Sequence, residues 1–370
     1  MTDAKLEPVQ LYGSSISYFT GKMENYFRLK GIAYELRPML ARSIYPLVQE
    51  KVGATQMPAM TLADGRWLTD TTPAIQWFET EYPDHPVIPQ DPLQRFFSLL
   101  LEDYADEWLW RPAMHYRWYY DVGATFAGAH LVQELTGELP LPKHFKRWMI
   151  RRRQRSGYTF GDGITRDQVP AVESIYHRTL EQLQAILETR PFLLGDSPSL
   201  ADVGFSAPFF RHFGLDPVPA EIMRKSAPAV MVWITRLWNT RLAEKSGEWL
   251  DGIPEDWNPL LQEIGEHYLP YLCANVEAVA AGTRKFDAEV GGVRYRGARW
   301  SPYRVWCLQR LREEYRSLPE VVQLQARERL EQTGCWEPLW RPSSLPLADG
   351  FCARLPFYAD AKMIDVYHTR

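Results

Sequence analysis

The N-terminal part of the chain alternates short hydrophobic runs with polar loops. Residues 9–12 form a run that is typical of a β-strand, and apolar residues recur at helical spacing over residues 22–30, where Gly31 is placed to end the helix. Further strands are predicted at residues 33–36, 59–62 and 66–68. The predicted order is therefore strand, helix, strand, followed by strand, strand, helix.

The middle of the chain is predominantly helical in its hydrophobic pattern. Residues 93–120 are predicted to form one long, aromatic-rich helix, and residues 173–187 and 228–242 carry further apolar helical stripes. Ser199 and Asp202 have the spacing of a capping box, in which each side chain accepts a hydrogen bond from the other residue's backbone N–H. We interpret this motif as structural rather than catalytic.

The C-terminal third combines helices with one hairpin. Residues 286–290 and 293–296 flank Gly291-Gly292 and are predicted to pair as antiparallel strands. Helices are predicted to begin near Asn258, Ser301 and Pro319. Because two strands cannot bury a hydrophobic face alone, we expect residues 251–370 to dock against the rest of the protein.

Several motifs of the first half of the chain recur together in a known family. The segment from Ser17 to Lys22 leads to Gly31, the pair Met57-Pro58 follows, and Asp70-Thr71 opens a helical segment. In order and spacing these motifs resemble the N-terminal domain of cytosolic glutathione transferases. Residues 192–202 resemble a loop and capping box of the same family's C-terminal domain. The resemblance covers residues 9–250, and the remainder of the chain lies outside it.

The resemblance implies an α+β fold with a defined domain order. A thioredoxin-like, glutathione-binding domain is expected over residues 1–84, and an all-helical C-terminal domain over residues 92–250. The C-terminal extension, residues 251–370, is predicted to be mostly helical with a β-hairpin. The family's usual assembly implies a homodimer, in which the aromatic side chains of residues 93–120 would supply much of the apolar contact surface.

The resemblance also implies a glutathione clamp. If the Met57-Pro58 peptide bond is cis, the Met57 backbone N–H and C=O face outward and can pair with the cysteinyl part of glutathione as an added strand. Thr71 can cap the following helix, whose free N–H groups would bind the γ-glutamyl carboxylate, while Asp70 can hold the α-ammonium group. The alternatives are a plain trans proline at a strand edge, and a helix cap at Asp70-Thr71 without a ligand.

Ser17 matches the catalytic position of the family's serine and cysteine classes. A hydroxyl there can donate a hydrogen bond to the glutathione sulfur and so stabilise the thiolate over the thiol. Ser17 is also compatible with an ordinary loop serine, since Ser14, Ser15 and Thr20 crowd the same loop. Tyr18 is the alternative thiol partner.

Composition and charge agree with a soluble protein that we expect in the cytoplasm. The chain has 370 residues, 45% of them hydrophobic, and a formal net charge of −4. No apolar run reaches membrane-spanning length, and the first residues lack the hydrophobic segment of a signal peptide. Four cysteines lie in the C-terminal third without a C-x-x-C pair, which favours buried, reduced thiols over disulfides or zinc ligands.

Two charged segments have an ordinary structural interpretation beside a functional one. Residues 143–155 hold seven Lys or Arg residues and no acid, a pattern that fits a solvated helix face but can also attract an anionic substrate, a phosphate-bearing partner or a membrane surface. The acids of residues 102–107, with His115, suggest a carboxylate metal site. No second helix carries a matching Glu-x-x-His motif, so no metal is predicted. The net charge gives no reason to invoke nucleic acid.

These observations predict a glutathione-dependent transferase or lyase. Glutathione, as co-substrate, would be held by Met57, Pro58, Asp70 and Thr71, and its thiolate would attack a hydrophobic or aromatic electrophile. The alternative is a non-catalytic module with the same fold that recruits a protein partner. Glutathione affinity without turnover of any electrophile would favour that module.

Overall fold

The N-terminal elements build one small sheet with helices packed against it. The structure is a computed structural model that describes residues 6–53, 56–244, 247–342 and 344–346. Its first elements are β1 (Val9–Gly13), α1 (Tyr18–Lys30), β2 (Tyr34–Pro38), α2 (Ile44–Val52), β3 (Ala59–Thr61), β4 (Trp67–Thr69) and α3 (Thr71–Glu81). The strands lie in the order β2-β1-β3-β4, with β1 and β2 parallel and the other neighbours antiparallel. This is the predicted thioredoxin-like arrangement.

Local sequence explains most of these boundaries. Helix α1 begins after Ser17, earlier than predicted, and ends at Gly31, whose left-handed φ of 72° favours glycine. The predicted cis bond between Met57 and Pro58 is confirmed. Helix α2 was not predicted, because its exposed face leaves only Val48 and Val52 fully buried and the apolar stripe is short.

The middle of the chain is helical, as predicted. Its helices are α4 (Pro92–Glu107), α5 (Trp110–Tyr119), α6 (Asp121–Thr136), α7 (Lys143–Gln154), α8 (Val169–Leu187), α9 (Leu200–Pro208), α10 (Pro217–Ser226) and α11 (Pro228–Asn239). The capping box predicted at the start of α9 is confirmed, since the Asp202 carboxylate accepts from the Ser199 backbone N–H at 2.9 Å.

The prediction of one long helix over residues 93–120 was wrong, because the helix is interrupted between α4 and α5. Pro112 has no N–H to donate to the carbonyl of Trp108, and its ring would clash with that carbonyl in a continuous helix. The aromatic side chains of this region were also expected to supply the apolar surface of a homodimer contact. Most are buried within their own chain: Phe96, Phe97, Tyr104, Trp108, Tyr116 and Trp118.

The C-terminal extension has the predicted helices and hairpin, and also a short helix at residues 336–340 that was not predicted. They are α12 (Asn258–Glu263), α13 (Leu269–Ala280), β5 (Lys285–Val290), β6 (Val293–Arg299), α14 (Pro302–Ser317), α15 (Glu320–Gln332) and α16 (Trp336–Trp340). Gly291 and Gly292 form the turn between the strands, with φ of 53° and 71°. Residues 347–370 of the predicted extension lie outside the described residues.

One hydrophobic core runs through all these parts. Leu11 in β1, Leu100 in α4 and Leu308 in α14 belong to the same buried cluster. A second cluster beneath α2 and α6 includes Val48 and Leu131. Because the core is shared, the extension packs on the same framework that carries the N-terminal sheet.

Two further sequence predictions concern thiols and membranes. Three cysteines are buried and free, namely Cys273, Cys307 and Cys335, whereas Cys352 lies outside the described residues. Across the described part of the chain, no helix is both long and apolar enough to cross a membrane.

Candidate functional site

A cavity of about 270 Å³ opens where the N-terminal sheet meets the helices and the extension. It is bounded by the loop before α1, the cis-proline loop before β3, the start of α3, the junction of α4 with α5, and the start of α14. All six residues predicted from the sequence line it: Ser17, Tyr18, Met57, Pro58, Asp70 and Thr71. Residues up to 54 positions apart in sequence therefore meet at one site.

Ser17 presents a hydroxyl group to this cavity. Its side-chain oxygen caps α1 by accepting from the Thr20 backbone N–H at 3.5 Å. The hydroxyl proton has no acceptor among the described residues, so it is available to a ligand. The positive end of the α1 dipole lies at the same place, which favours a negatively charged ligand atom there.

The other serine hydroxyl groups of this loop are engaged elsewhere. Ser14 and Ser15 both donate to the carboxylate of Glu134 on α6, which anchors the loop. Thr20 is fully buried and does not line the cavity. Of the loop serines, Ser17 alone is a cavity residue with an unengaged hydroxyl proton, within the described part of the chain.

Tyr18 lines the cavity with its ring rather than with a free hydroxyl. The hydroxyl donates to the Ala105 carbonyl in α4 at 2.5 Å, and the side chain is 1% exposed. Burial, with the nearby Asp106 and Glu107 carboxylates, raises the pKa of Tyr18 well above its usual value. The phenol therefore stays protonated and is committed to the protein backbone.

Met57 and Pro58 present backbone groups at the opposite wall. Neither the N–H nor the C=O of Met57 is hydrogen-bonded to any other residue that the structure describes. The Pro58 carbonyl accepts from the Thr69 hydroxyl at 3.0 Å, which fixes the loop against β4. Met57 can thus form the two main-chain hydrogen bonds of an added strand.

The helix cap at α3 differs from the prediction. Asp70, rather than Thr71, occupies the capping position, with a φ of 68°, and Thr71 is the first helical residue. The Asp70 side chain makes no cap hydrogen bond. The N–H groups of Thr71 and Thr72 have no acceptors among the described residues, and Pro73 has no N–H. The start of α3 is consequently a ready site for a carboxylate.

The Asp70 carboxylate is buried and only half satisfied. One oxygen accepts from the Tyr303 hydroxyl at 3.0 Å, and the other, Oδ2, has no hydrogen-bond partner in the described structure. Burial raises the pKa of Asp70 to about 6, although Tyr303 and Lys22 act in the opposite direction. An orphaned buried carboxylate oxygen is suited to a cationic ligand group.

The α4 carboxylates that suggested a metal site are directed at protein donors. Glu102 and Asp106 both contact the Lys22 ammonium group at 2.5 Å. Despite its burial, these two carboxylates raise the pKa of Lys22 above its usual value, so the amine stays charged. Asp103 accepts from Tyr268 at 2.6 Å. The ion pairs of Lys22 join α1 to α4 at the edge of the cavity, which Asp106 lines.

The extension forms a wall of the cavity that the sequence did not predict. The wall residues at the start of α14 are Trp300, Ser301, Tyr303 and Arg304. Arg304 contacts Glu107 at 3.0 Å and Asp162 at 3.3 Å, which binds α14 to α4. The sequence signal for this helix start, Ser301-Pro302, was recognised, but nothing in it indicates where α14 lies.

One part of the cavity wall is aromatic. Phe19 stacks on Trp110 with ring centroids 5.8 Å apart, and Tyr158 meets Trp110 edge-on at 5.6 Å. Arg117 lines the same region but is engaged, since it donates to the Ile16 carbonyl at 2.7 Å and fixes the loop that carries Ser17. Such a surface suits a flat apolar group beside the Ser17 hydroxyl.

Comparison with known proteins agrees with this geometry. The family model described as "Glutathione S-transferase, N-terminal domain" matches residues 11–86, and that described as "Glutathione S-transferase, C-terminal domain" matches residues 166–236. Ser17, Met57 and Asp70 fall inside the first match, whereas Tyr303 lies outside both.

Individual relatives are distant. Glutathione S-transferase U4 of Arabidopsis thaliana is 26% identical over 103 residues, or 28% of this chain and 46% of that protein. Glutathione S-transferase U7 of the same plant is 25% identical over 133 residues, or 36% of this chain and 56% of that protein. The chain thus spans about half the length of these curated relatives.

Among the solved structures that are similar to this chain is the β-etherase LigF from Sphingobium sp. strain SYK-6. It is 18% identical, with a TM-score of 0.45, over 66% of this chain and 100% of that chain. Two separate segments of this chain therefore match the two domain models of the glutathione transferase family, in the expected order.

Proposed function

We propose that the protein is a glutathione-dependent transferase or lyase that acts on a hydrophobic or aromatic electrophile. The observation that carries this proposal is the convergence of the Ser17 hydroxyl, the Met57 backbone and the Asp70 carboxylate on one cavity. Each group has a hydrogen-bond donor or acceptor that no described residue uses, and each complements a different part of glutathione.

The proposed binding mode follows from these unsatisfied groups. The Met57 N–H and C=O would pair with the cysteinyl backbone of glutathione. The N–H groups of Thr71 and Thr72 would bind the γ-glutamyl carboxylate, and Asp70 Oδ2 would receive the α-ammonium group. Pro58 contributes the shape of the loop that presents Met57.

The proposed chemistry centres on the sulfur. The Ser17 hydroxyl would donate a hydrogen bond to the thiolate, which lowers the pKa of the bound thiol and raises the fraction of nucleophile at neutral pH. The thiolate would then attack an electrophilic carbon held against Phe19 and Trp110, and the leaving group would depart with the bonding electron pair.

Ser17→Ala tests this role, with Tyr18→Phe as the matched control. Loss of one hydrogen bond to a developing charge should raise the pKa of bound glutathione by about 1–2 units and lower turnover about 10- to 100-fold, with affinity nearly unchanged. Thiolate absorbance of bound glutathione against pH, together with turnover of an aryl halide, measures both. Tyr18→Phe should retain both properties, because its hydroxyl is directed at Ala105. A thiol pKa that moves in Tyr18→Phe and not in Ser17→Ala would assign the role to Tyr18.

We also propose that the protein is a cytoplasmic homodimer. Three buried, free cysteines are compatible with a reducing compartment. Since most aromatic side chains of α4 and α5 are buried within the chain, the dimer contact would use other residues on these helices, such as Tyr119, which is 44% exposed. Light scattering at several protein concentrations tests the assembly.

A further inference from the structure

We infer that Tyr303 of the C-terminal extension is a positioning residue of the glutathione site, which orients the Asp70 carboxylate toward the α-ammonium group of glutathione. This inference rests on the proposed function and deepens it. It makes the extension a component of the ligand site, although residue 303 lies outside both matched family domains.

The contact between the two side chains is direct. The Tyr303 hydroxyl donates to Asp70 Oδ1 at 3.0 Å, across 233 residues of sequence. Burial, with the Asp70 carboxylate, holds the pKa of Tyr303 well above its usual value, so the phenol remains a donor at neutral pH. The bond leaves Oδ2 as the carboxylate oxygen that is free for a ligand.

No cap hydrogen bond holds Asp70 in this orientation. Its backbone has a φ of 68°, a conformation that only a few non-glycine residues adopt, and its side chain makes no hydrogen bond to α3. The Tyr303 hydroxyl is the donor that the structure gives to this carboxylate, among the described residues. Without that donor, rotation of the carboxylate about its χ angles would be less restricted.

Tyr303 is itself held firmly. Ser301 caps α14 by accepting from the Arg304 backbone N–H at 3.3 Å. Asn275 on α13 binds both sides of Ser301, accepting from its N–H at 2.7 Å and donating to its carbonyl at 2.8 Å. With the Arg304–Glu107 ion pair, these contacts fix the first turn of α14, so the extension presents a preorganised hydroxyl.

The charges around Asp70 are mixed. Lys22 on α1 and Arg310 on α14 favour its ionised form, while Glu102 on α4 and burial disfavour it. The Tyr303 hydrogen bond favours the ionised form as well. Removal of that bond should therefore raise the pKa of Asp70 and shift the pH at which a cation can bind.

The competing interpretation is that Tyr303 blocks the site. In that case its hydroxyl would occupy the place of the ligand ammonium group, and removal of the hydroxyl would strengthen glutathione binding. The two interpretations predict opposite signs for the same variant, so a binding measurement separates them.

The experiment compares Tyr303→Phe with Tyr315→Phe in the full chain. Tyr315 lies on the same helix, donates to the Gln323 carbonyl at 3.0 Å, and does not line the cavity. Calorimetry is performed from pH 5 to pH 8 with glutathione and with glutaryl-cysteinyl-glycine, the analogue without the α-amino group. Thermal melts of both variants show whether each is folded.

We expect Tyr303→Phe to bind glutathione about three- to tenfold more weakly than wild type, as for the loss of one hydrogen bond. Its affinity should rise with pH through a midpoint above that of wild type, which should lie near the Asp70 pKa of about 6. The analogue should bind equally to wild type and Tyr303→Phe, and Tyr315→Phe should match wild type with both ligands.

Three results would overturn the inference. Equal binding and equal pH profiles of wild type and Tyr303→Phe would show that Tyr303 does not orient Asp70, while the proposed function stands. Tighter binding by Tyr303→Phe would assign a blocking role. No binding of glutathione by wild type would remove the proposed function and this inference together.

Discussion

Two of the junctions between the parts of this protein are each built around one fully buried cation. Lys22 joins α1 to α4, and Arg111 joins α5 to the extension; both are 0% exposed. Lys22 is neutralised by the Glu102 and Asp106 carboxylates, each at 2.5 Å. Arg111 lies mainly among aromatic rings. The two buried charges are thus stabilised by different kinds of partner.

The Arg111 site is an aromatic cage. Its guanidinium carbon lies 4.3 Å from the Trp108 ring centroid and 4.4 Å from those of Tyr271 and Tyr295. One carboxylate, Asp162, approaches it at 2.8 Å. A planar guanidinium can stack on several rings, whereas a compact ammonium ion requires charged or hydrogen-bonding partners.

The two junctions should respond differently to loss of the cation. Removal of Lys22 leaves two buried carboxylates facing each other. Removal of Arg111 leaves Asp162 with a second cation, Arg304, at 3.3 Å. The first junction should therefore be the more sensitive to loss of its cation.

The largest expected effect is that of Lys22→Met, which breaks the first junction. The free energy of unfolding should fall by about 3–5 kcal/mol, because Glu102 and Asp106 become unpaired buried charges. Urea unfolding at pH 7 measures the loss. The triple variant Lys22→Met, Glu102→Gln, Asp106→Asn should recover most of the stability. A single variant as stable as wild type would contradict a charged Lys22 at this site.

Arg111→Lys tests the second junction with the charge retained. We expect the free energy of unfolding to fall by about 1–3 kcal/mol, because the ammonium group loses the stacking on three rings. Denaturant unfolding followed by circular dichroism measures the change in the free energy of unfolding. Wild-type stability would mean that the aromatic faces contribute little beyond the charge.

Asp70→Asn is expected to change stability in the opposite direction. The folded-state pKa of about 6 lies above the usual value near 3.9, so the ionised carboxylate destabilises the fold as pH rises through this window. The variant should be more stable than wild type by about 1–2 kcal/mol above pH 6, with no gain near pH 4. Thermal melts at both pH values test the sign. Equal melting temperatures at pH 7.5 would argue against a buried, partly unsatisfied charge.

The two junctions were not predicted from the sequence, in contrast to several helix ends and one turn. Elements with local signals were predicted well. Gly31 ends α1, Ser199 and Asp202 cap α9, and Gly291-Gly292 form the hairpin turn, because each feature depends on backbone conformations available to a few residues at adjacent positions. The break before α5 was missed, although Pro112 provides a local signal for it.

The candidate site was predicted only in part from the sequence. Its residues Ser17, Met57 and Asp70 were identified through motif spacing, and they line one cavity. The choice between Ser17 and Tyr18 was open in the sequence, since both carry hydroxyl groups in one loop. The tertiary structure shows that the Tyr18 hydroxyl donates to the Ala105 carbonyl, 87 residues away, and the role of Ser17 as thiol partner stays a prediction.

From the sequence we predicted most of the element order, the resemblance to a family and six of the residues that line the cavity, because these depend on local periodicity and short motifs. The ion pairs of Lys22 and Arg111, and the approach of Tyr303 to Asp70, depend on the tertiary structure. These contacts join residues 51 to 233 positions apart. No local pattern encodes such pairs, since a buried charge selects its partners from whatever groups the packing of distant helices brings within reach.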